Sequence, residues 1–326
     1  MKPKLLFLWP GAAKDRYRMV ERLTDHFEII KTDAYDEQSL MKLIPRAAVV
    51  VGTRISRPLC EAAEKLKFLQ TPSAGVNGLD LAALDERGAI VCNSHSHAPF
   101  VAEHGVTMLL TLMKKVAVHD RLMRNGVWYG PGGTSRDETY QSDTLIGSTV
   151  GFIGFGHIGR EILSLLSGFK VKALAGVRSI DGHAEDLNRF PNLEFAGLDR
   201  VLENSDAIFL TVPLTGETEG MIGAAQISRM KSSVYLINVA RAGIVDADAL
   251  LDALVENSIR GSAIDAWEKE KASAHDFAKL DNMILSPHRA GTHRDITPYL
   301  HDVVDNLIAF ATGIELRNRV DLKAGY

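Results

Sequence analysis

The stretch that decides the fold runs from Thr149 to Gly159 and reads TVGFIGFGHIG. It starts as an apolar run and continues into three glycines, Gly154, Gly156 and Gly159, with the spacing GxGxxG. An amphipathic segment, Arg160–Leu166, follows directly. Glycines placed between a strand and a helix are typical of the turn that binds a dinucleotide pyrophosphate. The first glycine allows the tight turn, the second admits the phosphates and the third lets helix and strand pack closely, while the helix N-terminus supplies N–H donors.

Short apolar runs alternate with amphipathic segments on both sides of this turn. The runs predicted as strands before it are Leu5–Trp9, Phe27–Lys31, Ala48–Gly52, Phe68–Thr71 and Ile90–Val91. The strands predicted from the turn onward are Val150–Ile153, Val171–Leu174, Ala207–Val212, Val234–Asn238, Gly261–Ile264 and Met283–Leu285. Buried strands separated by helices predict parallel sheets. The expected fold class is α/β, with two Rossmann-like, doubly wound domains and a cleft between them.

One long helix is predicted over Pro99–Met123, followed by a turn-rich loop over Arg124–Leu145. A second long helix over Thr297–Thr312 is expected to fold back onto the first domain. The expected domains are therefore residues 1–98 plus 292–326, a discontinuous substrate-binding domain, and residues 99–291, a dinucleotide-binding domain.

Composition excludes several classes of protein. The 326 residues are 46% hydrophobic, which is enough for two cores of ordinary size. The 37 basic and 41 acidic side chains give a net charge of −4, which argues against binding to nucleic acid or an acidic membrane surface. No apolar run approaches a membrane span or a signal-peptide core. Two cysteines, Cys60 and Cys92, cannot form a disulfide framework, so a reducing, cytoplasmic location is expected.

The end of the second strand of the dinucleotide domain bears on cofactor choice. A site for NAD usually places Asp or Glu about 20 residues past the glycines, to hold the ribose hydroxyls. Here Val177, Arg178 and Ser179 stand at that position, and the first acid is Asp181. A guanidinium and a hydroxyl suit a 2′-phosphate, which favours NADP over NAD. The alternatives are that Arg178 stacks on adenine or is simply solvated.

Three ionisable residues follow predicted strands of the second series. Arg241 lies in NVARAG, Glu270 ends the segment DAWEKE and His288 lies in SPHRAG. Ligands of open α/β sheets bind at the carboxyl ends of the strands, so all three are candidates for one site. Taken singly, each is equally compatible with a surface or ion-pair role, and Glu268 is a nearby competitor for Glu270.

In combination and in this order, the motifs resemble those of the D-isomer-specific 2-hydroxyacid dehydrogenases. The segments that carry the resemblance are Ser73–Val76 with Leu79-Asp80, Val101–His104, Thr149–Gly159, Val212–Thr215 with Thr218, Asn238–Gly243, Asp265–Glu270 and Ser286–Gly291. They extend over nearly the whole chain. The sequence departs from the family pattern at Lys271, where proline is common, and at Arg289, where an apolar residue is common.

The resemblance implies a catalytic set. Arg241 would grip the carboxylate and carbonyl oxygens of a 2-keto acid, and His288 would be the acid/base. Glu270 would pair with the imidazole, raise its pKa and orient it. Further substrate contacts are implied at Ala74, Gly75 and Val76, the last two through backbone amides.

Cofactor contacts are implied at the glycine loop and at the ends of neighbouring strands. They are Gly154, Phe155, Gly156, His157, Ile158, Gly159, Val177, Arg178, Ser179, Val212, Pro213, Thr218, Val239, Ala240, Gly291 and Asp265, which resembles the residue that binds the nicotinamide carboxamide. No metal is expected, because His95 and His97 have no carboxylate or thiol cluster beside them. Arg54 and Trp267 are candidates to line the substrate pocket, with packing or surface roles as the alternative, and Arg289 is a candidate contact for an acidic substrate tail or is simply solvated.

The expected function is an oxidoreductase that transfers hydride between a nicotinamide cofactor and a small 2-keto acid or D-2-hydroxy acid. A reductase of the glyoxylate or hydroxypyruvate type is favoured, working as a homodimer with Pro99–Met123 as a contact. The alternatives are a phosphoglycerate dehydrogenase-like enzyme, a formate or phosphite dehydrogenase-like enzyme, and a dinucleotide-sensing protein like the corepressors of this fold. A methyltransferase would share the glycine loop but would not need the catalytic set.

Overall fold

The computed structural model describes residues 2–9, 20–127, 141–266, 277, 279–294 and 297–326. The chain divides into two compact units, each with its own parallel sheet. Unit 1 consists of Met1–His97 and His293–Tyr326, and unit 2 consists of Ala98–Thr292. The predicted α/β class with two parallel sheets is confirmed.

The regular elements of the described residues are numbered in chain order. The strands are β1 (Lys4–Phe7), β2 (Glu28–Ile30), β3 (Val49–Val51), β4 (Phe68–Gln70), β5 (Ile90–Cys92), β6 (Thr149–Ile153), β7 (Lys172–Gly176), β8 (Leu193–Phe195), β9 (Ala207–Leu210), β10 (Tyr235–Asn238), β11 (Gly261–Ile264) and β12 (Met283–Leu285). The helices are α1 (Glu37–Met41), α2 (Arg57–Ala62), α3 (Leu81–Glu86), α4 (Ala98–Met113), α5 (Val116–Arg124), α6 (His157–Leu165), α7 (Ala184–Arg189), α8 (Leu198–Asn204), α9 (Ala224–Ile227), α10 (Ala247–Val255) and α11 (Thr297–Thr312).

The unit 1 sheet has the strand order β2-β1-β3-β4-β5. Successive strand residues face opposite sides of a sheet, so Leu6 joins the apolar cluster on one face and Leu5 the cluster on the other. Leu307 of α11 belongs to the second cluster, and the ring of Phe310 stacks on Phe68 with centroids 4.9 Å apart. Unit 1 is therefore built from both ends of the chain.

The unit 2 sheet has the strand order β12-β11-β10-β9-β6-β7-β8, and all its neighbouring strands are parallel. From β6 the chain winds outward through β7 and β8, then returns to the other side of β6 at β9. This reversal between β6 and β9 is a topological switch point, the place where ligands bind in open α/β sheets. Apolar clusters cover both faces of the sheet.

Two sequence predictions about elements are wrong. The helix predicted over Pro99–Met123 is two helices, α4 and α5, because Lys115 has φ 50°, a left-handed conformation that ends a right-handed helix. The short edge strand β8 was not predicted, since the charged Glu194 interrupts its apolar residues and leaves no continuous apolar run.

None of the helices in the part of the chain that the structure describes is both long and apolar enough to cross a membrane.

Candidate active site

The site is built where parallel strands of unit 2 end. The glycine loop follows β6, Val212 follows β9, Arg241 follows β10 and His288 follows β12. Neighbouring strands lie about 4.8 Å apart, so these segments form one edge of the sheet. Only β11 separates the strands that precede Arg241 and His288, and Asp265 follows β11 directly.

The glycine loop has the shape that its sequence predicts. Gly154 has φ +85°, and a Cβ built there would lie 2.7 Å from Cγ1 of Val212, so a side chain would clash with the β9 loop. A Cβ at Gly159 would lie 3.2 Å from the ring of Phe155. Gly156 caps the N-terminus of α6 and a Cβ there would meet nothing within 4 Å, so the space beside it is open. The N–H groups of a helix N-terminus suit a dinucleotide pyrophosphate.

The other members of the loop divide between core and surface. The Phe155 side chain is buried, with its ring 5.3 Å from that of Phe152 in an edge-on arrangement. Ile158 packs against the same apolar cluster, whereas His157 is exposed. A ligand in this loop would therefore meet the backbone of Phe155 and not its ring, whereas Ile158 is only partly buried.

The loop after β7 carries the residues that bear on cofactor choice. Val177 packs against the core, and Arg178 and Ser179 are exposed. Arg178 forms an ion pair with Glu217, which lies in the loop after β9. Ser179 donates a hydrogen bond to Asp181, with 3.0 Å between the two oxygens. Acidic side chains therefore lie at both polar residues of this loop, Asp181 at Ser179 and Glu217, from the loop after β9, at Arg178.

A buried ion cluster that the sequence analysis missed lies beside this loop. Arg160 donates two hydrogen bonds to Asp186, at 2.6 and 2.8 Å, and His183 Nδ1 lies 2.7 Å from the same carboxylate. Burial alone raises the pKa of Asp186, but the bonds from Arg160 and His183 more than offset it and hold the pKa below its usual value. Arg160 directly follows Gly159, whereas nothing in the spacing of Asp186 indicates the contact.

The loop after β9 is held together by hydrogen bonds of the Thr218 hydroxyl. Thr218 Oγ1 donates to the carbonyl of Pro213 at 2.6 Å and accepts from the amide of Thr215 at 2.8 Å. The predicted cofactor contacts Val212, Pro213 and Thr218 thus lie in one ordered turn, in which the Thr218 hydroxyl bonds to the loop itself.

Arg241 lies in a turn that Asn238 organises. The buried Asn238 amide accepts from the amide of Ala240 at 3.0 Å and donates to the carbonyl of Arg241 at 2.8 Å. Arg241 Nη1 donates to the carbonyl of Ala240 at 2.7 Å. Val239 and Ala240 are buried, so any contact they make with a cofactor is through the backbone or a small apolar surface.

His288 follows β12 in a loop wrapped around Asp265. The carboxylate of Asp265, which is 1% exposed, accepts from the amides of Arg289 and Ala290 at 2.8 and 2.9 Å and from Ser286 Oγ at 2.5 Å. The amide of His288 donates to the Asp265 carbonyl at 2.6 Å. Because these bonds occupy the Asp265 carboxylate, its contact with a nicotinamide carboxamide stays a prediction.

His288 itself is exposed and has φ +56°, a strained conformation for a non-glycine residue and one that is common at functional sites. Gly291 is partly buried at the end of the same loop. Glu270 and Trp267 lie outside the described residues, so the pairing of Glu270 with His288 stays a prediction.

The predicted substrate segment lies in unit 1, in the turn after β4. The carbonyl of Ala74 accepts from Asn93 Nδ2 at 2.8 Å, Gly75 is partly buried and Val76 is buried. Arg54 is exposed.

Ser94 Oγ lies 3.2 Å from Asp302, so the Ser94–His97 segment is tied to α11. Among the described residues, no group of His, Cys, Asp and Glu side chains could hold a metal ion.

Comparison with known proteins agrees with this architecture. Residues 106–290, more than half of the chain, match the family described as D-isomer specific 2-hydroxyacid dehydrogenase, NAD binding domain. A glyoxylate reductase from Pyrococcus furiosus is 30% identical over 321 residues, which cover 96% of this chain and 94% of that protein. A crystal structure of a protein from Pyrococcus horikoshii OT3 has a TM-score of 0.84 and 28% identity, covering 98% of this chain and 96% of that one.

A D-3-phosphoglycerate dehydrogenase from Archaeoglobus fulgidus is 29% identical over 299 residues, and the match spans 90% of this chain but only 55% of that longer protein. The match over residues 106–290 contains the glycine loop, the Arg241 turn and the His288 loop, which together form the carboxyl edge of the unit 2 sheet. The chain therefore belongs to the D-isomer specific 2-hydroxyacid dehydrogenase family, whose members are NAD(P)-dependent enzymes.

Proposed function

We propose that this enzyme reduces a small 2-keto acid to the D-2-hydroxy acid, with glyoxylate or hydroxypyruvate as the substrate type. One observation carries the proposal. The guanidinium of Arg241 and the imidazole of His288 follow strands of the same sheet, at the edge where the glycine loop also lies. The curated relative at 30% identity is named a glyoxylate reductase, which supports the same substrate class.

Arg241 has the chemistry to bind the substrate's carboxylate and carbonyl oxygens. A guanidinium offers donors in a fixed fork that matches a carboxylate, and it stays protonated at any physiological pH. The Asn238 amide fixes the backbone of the turn at both Ala240 and Arg241, so the fork starts from a defined position. The same residue would stabilise negative charge that develops on the carbonyl oxygen during reduction.

His288 is proposed as the acid that protonates the carbonyl oxygen, and as the base in the reverse direction. When it is bound, the nicotinamide supplies or accepts the hydride. Glu270 is proposed to pair with the His288 imidazole, which would favour the protonated form and hold the ring in one orientation.

NADP is proposed as the preferred cofactor. The end of β7 offers Arg178 and Ser179 to a 2′-phosphate, in place of the acidic residue that would hold the ribose hydroxyls of NAD, and the carboxylates now paired with them are those of Glu217 and Asp181. Arg178 and Glu217 form an exposed ion pair, in which a phosphate oxygen would replace the carboxylate. The open space beside Gly156 fits the pyrophosphate of either cofactor.

A second substrate class is favoured by one observation. Arg289 is exposed directly after His288, and its backbone is anchored to Asp265. A cation beside the acid/base would suit a 2-keto acid with a second anionic group, such as a phosphorylated hydroxypyruvate. The family member from Archaeoglobus fulgidus is named a D-3-phosphoglycerate dehydrogenase.

The test is a spectrophotometric assay of NADPH and NADH oxidation with glyoxylate, hydroxypyruvate, phenylpyruvate, 3-phosphohydroxypyruvate and 2-oxoglutarate. Turnover of glyoxylate or hydroxypyruvate is expected, and the absence of turnover with every acid would refute the proposal. A higher kcat/KM for the dianionic acids, abolished by Arg289→Gln, would select the second class.

The role of His288 is tested with His288→Asn, since asparagine tolerates positive φ and preserves the loop. The loss of the acid should lower kcat about 10²- to 10⁴-fold. His26→Asn in unit 1 is the control variant and should leave kcat unchanged. A loss of less than about tenfold in His288→Asn would assign the proton transfer to another group.

A homodimer is proposed as well, with α5 as a contact. Val116 and Met123 on this helix are 53% and 47% exposed, so they offer apolar surface to a second copy of the chain. Light scattering should give twice the chain mass, and Met123→Glu should lower it, whereas Val255→Glu on α10 should not.

The two cysteines are free and buried, which supports the proposed location in a reducing compartment.

A further inference from the structure

We propose that His104 is a positioning residue that holds the loop carrying His288. The inference rests on the proposed role of His288 as the acid, and it concerns a residue on a helix 182 positions away from the loop it contacts. Three groups carry it: the buried carboxylate of Asp265, the hydroxyl of Ser286 and the imidazole of His104.

The Asp265 carboxylate is the centre around which the loop folds. It receives hydrogen bonds from both amides that follow His288 and from the hydroxyl of Ser286, two residues before it. These bonds fix the chain on both sides of His288, which compensates for the strained φ of that residue. Strain of this kind persists only where the surroundings over-determine the conformation.

The direction of each hydrogen bond assigns a proton to His104. An ionised carboxylate only accepts, so the single hydrogen of the Ser286 hydroxyl points to Asp265, 2.5 Å away. His104 Nε2 lies 3.0 Å from the same hydroxyl oxygen, which can then only accept. His104 must therefore donate through Nε2–H, which also lies 3.7 Å from Asp265 Oδ1. A residue that cannot donate there would leave the hydroxyl without its second partner.

The helix α4 is a rigid base for this contact. Val101, Ala102, Met108 and Leu109 of α4 are buried in the core of unit 2, whereas the His104 side chain remains 31% exposed. His104 thus connects the loop to the core through a helix that does not belong to the sheet edge. The hydrogen bonds that hold the loop from the β11 side come from Asp265 and from the carbonyl of Ile264, which accepts from the amide of Ser286 at 2.9 Å.

A series of substitutions tests the donor requirement. His104→Gln keeps an N–H donor at a comparable reach, His104→Leu removes it, and His104→Glu replaces it with an acceptor beside a carboxylate. We expect kcat to fall about 10- to 100-fold in His104→Leu and at least as far in His104→Glu, since small displacements of an acid/base are costly. His104→Gln should stay within about threefold of wild type, and the KM for the nicotinamide cofactor should change little in all three. His26→Leu is the matched control.

A double-substitution cycle tests the path through Ser286. Because both side chains act on the same loop, His104→Leu/Ser286→Ala should be no slower than the slower single variant. Multiplicative losses would contradict the path, as would equal losses in His104→Gln and His104→Leu. If His104→Leu does not fold, the inference is still tested by two variants: kcat should stay near the wild-type value in His104→Gln and should fall in Ser286→Ala.

Hydrogen exchange separates this inference from the proposed function. Peptides covering residues 286–291 should exchange faster in His104→Leu than in wild type or His104→Gln, without any substrate present. Unchanged exchange together with unchanged kcat would overturn the inference. Faster exchange in an enzyme whose His288→Asn variant retains full activity would sustain the role of His104 in the loop and refute the role of His288.

Discussion

The ion pair between Arg178 and Glu217 is a single contact with consequences for cofactor choice. Both side chains are exposed, and a surface ion pair is worth only about 0.5 kcal/mol. A phosphate monoester carries nearly two negative charges and three acceptor oxygens, so it competes well with one carboxylate for the same guanidinium. Glu217 should therefore weaken the binding of a 2′-phosphate without preventing it.

Removing the Glu217 charge should favour NADPH. Glu217→Gln is expected to lower the dissociation constant of NADPH about two- to fivefold and to leave that of NADH unchanged, as measured by nucleotide fluorescence. Arg178→Ala should weaken NADPH about tenfold or more with little effect on NADH. Glu219→Gln, a substitution at an exposed position of the same loop, is the control. Equal effects on both cofactors would show that Arg178 does not contact the 2′-phosphate.

Residues of the candidate site differ in how far the sequence alone predicts them. Arg241 and His288 follow strands that the apolar pattern predicts, so their place at the sheet edge was foreseeable. The contact of His104 with Ser286 was not, because it joins segments that come together only when α4 packs on the sheet. Periodicity predicts which face of a helix is buried, but it does not tell which polar group that face meets.

At the scale of elements, the cluster of Arg160, His183 and Asp186 joins α6 to α7. Arg160 lies on α6, which begins at the glycine loop. It donates two hydrogen bonds to the carboxylate of Asp186 on α7. The residues between β7 and α7 include Arg178 and Ser179. The cluster therefore restrains the far end of the loop that is proposed to select the cofactor.

Asp186→Asn should destabilise the protein in a pH-dependent manner. The folded-state pKa of Asp186 lies below that of the unfolded chain, so its ionised form contributes stability at neutral pH. That contribution falls as the pH drops below the unfolded value of about 3.9 and on through the folded pKa. We expect a loss of about 3 kcal/mol at pH 7 by denaturant unfolding, and a smaller loss near pH 3.

The control for Asp186 is Asp85→Asn at an exposed position of α3, which should have little effect at either pH. If Asp186→Asn lowers the free energy of unfolding equally at pH 7 and pH 3, the ion-cluster account is contradicted. The loss would then come from the packing of the asparagine side chain and not from the missing charge.

The break between α4 and α5 is not predicted by the periodicity of apolar residues. Apolar residues continue across the junction, so periodicity predicts one helix. Only the left-handed backbone of Lys115 ends α4 at Met113, and lysine has no intrinsic preference for that conformation. A glycine or asparagine at this position would have marked the end in the sequence.

For the molecule as a whole, both thiols are buried in unit 1. Burial raises the pKa of Cys60 to about 11 and that of Cys92 to about 11, so neither forms the reactive thiolate at neutral pH. Native protein at pH 8 should therefore react only slowly with a disulfide reagent such as 5,5′-dithiobis(2-nitrobenzoate). Both thiols should react at once in denaturant, and a rapid native reaction would show that unit 1 opens readily.

The two sheets were predictable from the sequence because apolar strands and helical segments alternate through both halves of the chain. The last helix was expected to fold back onto the first domain, but its individual contacts with β4 needed the structure, namely the stacking of Phe310 on Phe68 and the hydrogen bond that Asn306 donates to Gln70. Sequence separation of this size leaves no local signal.

The order in which the two units can fold during synthesis follows from this packing. Unit 2 is one uninterrupted stretch, whereas one face of the unit 1 sheet waits for α11. At 5–20 residues per second, the first strand leaves the ribosome roughly 15 to 60 s before that helix. Unit 2 should therefore complete its fold first, and nascent chains halted before Thr297 should leave unit 1 open to chaperones and proteases while unit 2 already resists them.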